Sequence, residues 1–315
     1  MSIIQRCGIP GSITSCALIF SVLASAQPPV PPAGRGATPQ AGQGAPARQP
    51  QRPTRKQLLV WCDNSGGGGV HESMNRAMAV LQQMGHDTGL FDATLRTDSR
   101  MITKLPIVVH ADGRDWPNTR NLDYFDAIFF CGMREIPITL QQGADLLSFV
   151  KDDGKGFLAE HGANNAFMSW PAYADMIGAG ADNYPWGTQT DVTIVNEDPN
   201  FPATKHFPAT FRIKDEMYQL TTPYSRDKVH VLLRLDPTSV DMTGPNVHRK
   251  DGDFPQAWAK TYGKGRVFVC AFGQASEYWD DPDQKTMWLE AIKWAMGMTN
   301  ADVTPRPFPA PGGAK

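Results

Sequence analysis

The sequence predicts an α/β protein built on a doubly wound, mostly parallel sheet with helices on both faces. Short apolar runs without polar alternation recur at residues 58–62 (LLVWC), 127–131 (AIFFC) and 266–272 (RVFVCAF), with 156–160 (GFLAE) as a weaker fourth. Such runs suit parallel strands that are covered on both faces. Helical patterns alternate with the runs and no internal repeat is visible, which is the order a doubly wound sheet requires.

The elements follow in sequence. After the first run, Met74, Met78, Leu81 and Met84 recur at helical spacing and end at Gly85, predicting an amphipathic helix. After the second, Leu140, Ala144, Leu147 and Val150 repeat the pattern before Gly154. The run at 156–160 enters a sharp turn and then a further predicted helix. Residues 185–258 are less regular, with IKDEMYQL (213–220) and VHVLLRL (229–235) as the clearest segments. The last run precedes Trp288, Ile292 and Ala295, with Gly297 near the end of that helix.

The flanks differ in character. Arg6, an apolar stretch at 13–23 and Ala24-Ser25-Ala26 read as a secretory signal over residues 1–26, cleaved before Gln27. That stretch is shorter than the ~20 residues a bilayer span needs, so no stable membrane insertion is expected after cleavage. A periplasmic or extracellular location follows. Residues 27–56 hold eight prolines, five basic residues and no acidic residue. They cannot bury enough apolar surface to offset their ordering entropy, and they read as a disordered linker. Residues 57–298 form the predicted α/β domain, of roughly 240 residues, within the size one such domain can take. Residues 299–315 read as a flexible tail.

Composition narrows the function. The formal net charge is −2, with the basic surplus in the linker. Without a basic stripe in the globular part, nucleic acid is not an expected partner. Cys62, Cys131 and Cys270 each end an apolar run at no metal-ligand spacing, and are read as buried free thiols. Nothing in the sequence sets the oligomeric state.

In open parallel sheets, ligands bind outside the carboxyl ends of the strands. The polar residues after each run are therefore the candidates: Asp63 and Asn64, Arg134 and Glu135, His161 and Asn164, Gln274 and Glu277. The first loop (DNSGGGGVHE) carries glycines into a helix N-terminus and ends in His71-Glu72. It matches neither a Walker loop nor GxGxxG, so it is equally a surface turn. The turn after GFLAE exposes Glu160 and His161 where an elbow would place a nucleophile, and offers no Ser or Cys. Histidine moves protons near neutral pH, and a neighbouring carboxylate can orient it or share the work. In KDEMY, Asp215, Glu216 and Tyr218 supply acid/base and hydrogen-bonding groups, although taken alone the stretch reads as a solvated strand end. Gln274, after the last strand, is expected on the same rim as His161. Trp186 and Trp279 lie in polar loops and are candidate stacking platforms for a sugar ring, since such rings pack on apolar C–H patches.

Three segments together carry a family resemblance: GKGRVFVCAFGQ…WLEAIKWAMG, GFLAEHGANNAF…W..Y..MIGA and the tetrapeptide DEMY. Over residues 56–297 the chain resembles the trehalose-utilisation (ThuA-like) family. That resemblance implies a class I glutamine-amidotransferase-like, flavodoxin-like three-layer sandwich and a small-molecule carbohydrate as partner, with members linked to disaccharide use through 3-keto-sugars. The family's early His-Glu matches His71-Glu72, its histidine after the central strand matches His161, and its acidic residue before Met-Tyr matches Glu216. Two positions that often carry histidine are here Met133 and Gln274. Amidotransferases place a cysteine where this chain has Glu160, so glutamine hydrolysis is not expected.

The resulting expectation is an exported protein acting on a sugar or keto-sugar by acid/base chemistry. His161, Glu160, Glu216 and His71 are its catalytic candidates. Asp63, Asn64, Asn164, Trp186, Tyr218, Gln274 and Trp279 are its binding candidates. The alternatives are a non-catalytic carbohydrate-binding module and a metal-dependent hydrolase. No cofactor is required, and a divalent metal, if held, would take His71, His161 and Glu216 as ligands.

Overall fold

The structure is a computed structural model and describes residues 54–67, 71–118 and 120–308. The expected signal at 1–26, linker residues 27–53, positions 68–70 of the glycine loop and the tail beyond 308 lie outside the described residues.

The chain opens with β1 (Lys56–Trp61), α1 (Ser73–Thr88) and β2 (Phe91–Arg96), followed by a hairpin of β3 (Ile107–Ala111) and β4 (Arg114–Asn118). Next come β5 (Ala127–Phe130), α2 (Leu140–Lys151), β6 (Gly156–Glu160), α3 (Pro171–Ile177) and β7 (Gly180–Asn183). β8 (Thr190–Asn196), β9 (Thr210–Asp215), β10 (Gln219–Thr221) and β11 (His230–Leu235) lead to the hairpin of β12 (Pro255–Tyr262) and β13 (Gly265–Cys270), and α4 (Pro282–Ala295) closes the domain. The central sheet has nine strands in the order β2-β1-β5-β6-β13-β12-β11-β8-β9. The half from β2 to β13 is parallel, as the apolar runs predict. The half from β12 to β9 is an antiparallel extension that the sequence does not announce.

Both faces of the parallel half are covered, which is why its strands lack alternation. Along β1, Leu58 and Val60 join one core with Ala77 and Leu81 of α1 and Trp288 of α4. Leu59 and Trp61 join the other with Leu146 and Phe149 of α2 and Tyr173 of α3. α1 runs on past Gly85 to Thr88, and Gly89 caps it in the left-handed conformation. Gly85 is a packing residue: a Cβ there would meet the Phe91 carbonyl at 2.7 Å. α2 starts in a capping box between Thr139 and Gln142. IKDEMYQL is not one element. It spans the end of β9 and the start of β10, and the break falls at Glu216 to Tyr218.

Three further expectations are corrected. Cys62 and Cys131 are not free thiols; they form a disulfide with a Cα–Cα distance of 4.6 Å. β1 and β5 are parallel neighbours with Trp61 opposite Phe130, so the next residue of each strand meets the other. Among the described residues Cys270 is the free cysteine, and it is buried. The expected linker ends before Arg55, whose guanidinium donates to the carbonyls of Gly85, Gly89 and Phe91. The expected flexible tail is fixed as far as Phe308. Arg266 donates to the Thr299 carbonyl, His230 meets the Thr304 carbonyl, and the guanidinium groups of Arg226 and Arg234 lie over the Phe308 ring.

Candidate active site

The site sits at the carboxyl ends of β6 and β13, which lie side by side with Glu160 opposite Cys270. At the next residue the chain turns sharply: His161 has φ 38°, a strained value for a non-glycine residue. The expected sharp turn is a short 3-10 turn, His161–Asn165, and the helix expected after it is α3. Asn164 braces the turn by donating to the His161 carbonyl at 3.0 Å.

That turn buries the His161 ring almost completely, at 1% exposure. Nδ1 lies 2.8 Å from the Ala271 carbonyl, which can only accept, so this nitrogen carries a proton. Nε2 lies 2.6 Å from the Gln274 amide and 3.8 Å from Glu216 Oε1. The atom of Gln274 that faces Nε2 is Oε1, so a neutral ring that accepts at Nε2 requires the amide in its flipped orientation, with the nitrogen donating. His71 stacks obliquely at 5.1 Å between ring centroids, and Tyr218 meets the imidazole edge-on at 5.3 Å.

Asp215 ends β9 and locks the opposite wall. Its carboxylate accepts from the backbone N–H groups of Glu216, Gly273 and Gln274 at 2.7, 2.9 and 3.1 Å. One side chain thus fixes both Glu216 and Gln274 against His161. The sequence marks Asp215 as an acid/base group; its role as a backbone acceptor depends on partners across the sheet that the sequence does not show.

Burial sets the electrostatics. Desolvation, with the Asp215 charge beside it, raises Glu216 to about 7, and the Tyr218 hydroxyl opposes part of that rise. Desolvation also raises Asp215, to about 6, against the pull of its three backbone donors. Glu160 is driven well above the carboxylate range by burial and by Asp215. Burial lowers His161, and it lowers His71 to about 4, helped by the nearby His161. At neutral pH the group therefore holds two neutral imidazoles, a Glu160 biased by burial towards its protonated form and a Glu216 poised between its forms.

The candidates separate into those that meet and those that do not. His161, Glu216, His71, Gln274 and Tyr218 converge, and Glu160 lies behind them. Asp63 faces away: its carboxylate braces the loop by accepting from the Trp61 indole and the Ser65 N–H at 3.1 and 2.9 Å. Asn64 is exposed beside it. Trp186 is half-buried, donates to the Asp241 carbonyl and packs edge-on against Phe254 at 5.2 Å. Trp279 is no cleft wall: at 0% exposure it packs on Phe129 and Trp288 with centroids at 5.8 and 5.7 Å. Its polar neighbours belong to a 3-10 turn, Ser276–Asp280, that folds the ring inward. The indole N–H lies near enough to Glu160 to oppose part of its shift without closing a hydrogen bond.

The ThuA family model, described as trehalose utilisation, matches residues 57–295. The chain belongs to the ThuA family. Its functional class is accordingly carbohydrate-related. A protein from Bacteroides uniformis described as ThuA-like shares the fold of this ThuA chain at TM-score 0.61 and 23% identity, over 80% of this chain and 95% of that one. A second, from Parabacteroides merdae, does so at TM-score 0.56 and 17% identity, over 81% and 93%. No curated protein matches the sequence.

Among the described residues, the donors around His161 are not gathered as metal ligands in this ThuA protein. His161 Nε2, its one nitrogen free to ligate, is closed by Gln274 at 2.6 Å. Met133, at the other position where the resemblance leads one to expect histidine, lies with its Cβ and terminal methyl beside Gly162. Among the described residues no three His, Cys, Asp or Glu side chains are placed to hold a cation.

Proposed function

We propose that this protein isomerises an oxidised sugar by moving a proton beside a ketone, with His161 as base and Glu216 as acid. The observation that carries the reading is the approach of His161 Nε2 to Glu216 Oε1 at 3.8 Å, with burial favouring the neutral form of each. A neutral imidazole and a carboxylic acid form the pair that enolisation needs, and each such group typically contributes ~10²–10⁴-fold. With the Gln274 amide drawn away to a substrate hydroxyl, Nε2 takes the proton from the carbon next to the carbonyl. The C–H electron pair becomes the enediol double bond as the Glu216 proton passes to the carbonyl oxygen. His161 Nε2–H then returns its proton to the former carbonyl carbon, while the Glu216 carboxylate takes the proton from the neighbouring enediol hydroxyl, whose carbon becomes the ketone. Nδ1–H, held by Ala271, keeps the basic nitrogen facing the site, and Gln274 is placed to orient a hydroxyl.

The Cys62–Cys131 disulfide supports the further proposal that the chain works outside the cytoplasm, since such bonds persist in oxidising compartments. The closure of Nε2 by Gln274 favours a second reading, carbohydrate binding without chemistry. One experiment separates them. The protein is incubated with methyl 3-keto-glucoside in D2O and deuterium at the carbons flanking the ketone is followed by NMR. Exchange that falls at least about 100-fold in His161→Ala is expected. No exchange by wild type, or equal exchange by the variant, removes the enzymatic reading.

A further inference from the structure

The hairpin of β3 and β4 is a two-stranded sheet of its own, apart from the central nine strands. Such a ribbon is marginal in water unless an apolar face is covered. Only its base is. Ile107 stands opposite Asn118, Val109 opposite Trp116 and Ala111 opposite Arg114, so these six side chains share one face. Ile107 packs on the core that holds Leu146 and Tyr173, whereas Val109 and Trp116, further out, are 49% and 55% exposed. Arg114 lies beyond them, exposed and without an ion pair among the described residues.

Across α2 lies a matching hollow. A groove of about 500 Å³ is walled by Glu135, Ile138, Leu140, Leu147, Phe167 and Trp170. Six of the eight large apolar side chains exposed among the described residues lie in the hairpin stretch 105–116 or beside this groove, the latter being Leu140 and Met168. A soluble monomer rarely gathers them so. At one end of the groove the Glu135 carboxylate accepts from the Ser169 N–H and hydroxyl at 2.7 and 2.9 Å, and it meets no cation among the described residues. The hairpin does not reach the groove of its own chain. Its stem is tied to one flank of α2, where Asp145 accepts from the Thr103 hydroxyl and the Lys104 N–H at 2.9 and 2.8 Å. Gly143 and Leu147 line the groove on the other flank, because residues two apart on a helix point about 200° apart.

We infer that the protein pairs with a second copy of itself about a twofold axis over α2, Trp116 of each copy filling the groove of the other. Both halves of a complementary interface are carried by one chain, on opposite flanks of one helix, and a twofold axis brings each to its counterpart. Ala144 and Ser148, on the crest between the flanks, are small enough to let the two helices approach. Charge agrees with shape: Arg114, on the Trp116 face, is the cation that the partner's Glu135 lacks. Symmetry doubles every contact, which carries patches of ~300–600 Å² towards the ~800 Å² per partner of a stable interface. Trp and Arg are also the residues that most often dominate such interfaces. The pairing is independent of any chemistry at His161.

The test is sedimentation equilibrium of the purified protein from about 1 to 100 μM. Wild type is expected to be a dimer. Trp116→Ala should weaken the dimer at least about 30-fold, the effect of a dominant interface residue. Arg114→Glu and Glu135→Arg should each weaken it as well. The double variant Arg114→Glu/Glu135→Arg should associate more tightly than either, because it reverses the pair without removing it. All three positions are exposed, so the variants should fold like wild type, which circular dichroism checks. A monomer throughout the range, a dimer indifferent to Trp116→Ala, or a double variant no tighter than the single ones overturns the inference. Growth into open-ended chains also overturns it, since hairpin and groove would then join head to tail without closing.

Discussion

Gly273 lies so close to the Glu160 carboxyl that a Cβ at that position would stand 2.0 Å from Oε1. The same glycine has φ 127°, a conformation that side chains rarely adopt, and its N–H donates to Asp215. Gly273→Ala therefore meets a steric and a conformational barrier at once. Overpacking costs ~1–3 kcal/mol and backbone strain a similar amount. Urea unfolding should show a loss of at least about 2 kcal/mol. A midpoint equal to that of wild type would mean that Glu160 can move aside freely.

Glu216 makes stability depend on pH in a defined direction. Its pKa rises from 4.5 to about 7 on folding, so between those values the folded state keeps a proton that the unfolded state has released. The contribution is complete below pH 4.5 and is lost as pH climbs through 7. Asp215, raised to about 6, acts in the same sense, while His71, lowered to about 4, acts oppositely and weakens the fold as pH falls below 6.5. Glu216→Gln isolates the one group. Relative to wild type, the variant should gain up to about 3 kcal/mol as pH is raised across that window. A difference that stays flat with pH would show that Glu216 is not desolvated.

How much of this was legible follows from burial. β1, β5, β6 and β13 were readable because both of their faces are covered, which erases alternation. β2 was not, since it is an edge strand whose side chains are mostly only half-buried. β9 alternates exposed and half-buried residues, as a strand with a solvated face does, so only its end showed in the sequence, within the segment IKDEMYQL. His161 and Gln274 could be placed together because the carboxyl ends of parallel strands share a rim. The partners of Asp215 could not be foreseen, nor could the Cys62–Cys131 pairing. Both depend on strand order, which periodicity does not encode.

Trp279 shows the same limit from the other side, and its place in the core makes a contrast testable. Trp279→Ala should destabilise the protein by ~3–5 kcal/mol, the usual loss for a large buried aromatic. Trp186→Ala removes a half-buried ring with one exposed hydrogen bond and should cost less. Thermal unfolding of the two variants decides the order. If Trp186→Ala proves the more damaging, the burial assigned to these rings is reversed.

The disulfide joins residues separated by 69 positions and ties β1 to β5 beside the loop that leads to His71. A cross-link over a loop of that length restricts the unfolded chain and is worth about 4 kcal/mol by chain entropy. Its native partners are already held by the parallel ladder, so reduction should leave the sheet intact and act mainly on the unfolded state. Unfolding in guanidinium should therefore show, with reductant, a lower midpoint and an unfolding free energy smaller by about 4 kcal/mol. Cys62→Ser should reproduce the shift and be insensitive to reductant. Wild type that unfolds identically under both conditions would mean that the two sulfurs are not bonded in the folded protein. The proposed working compartment would then lose its structural support.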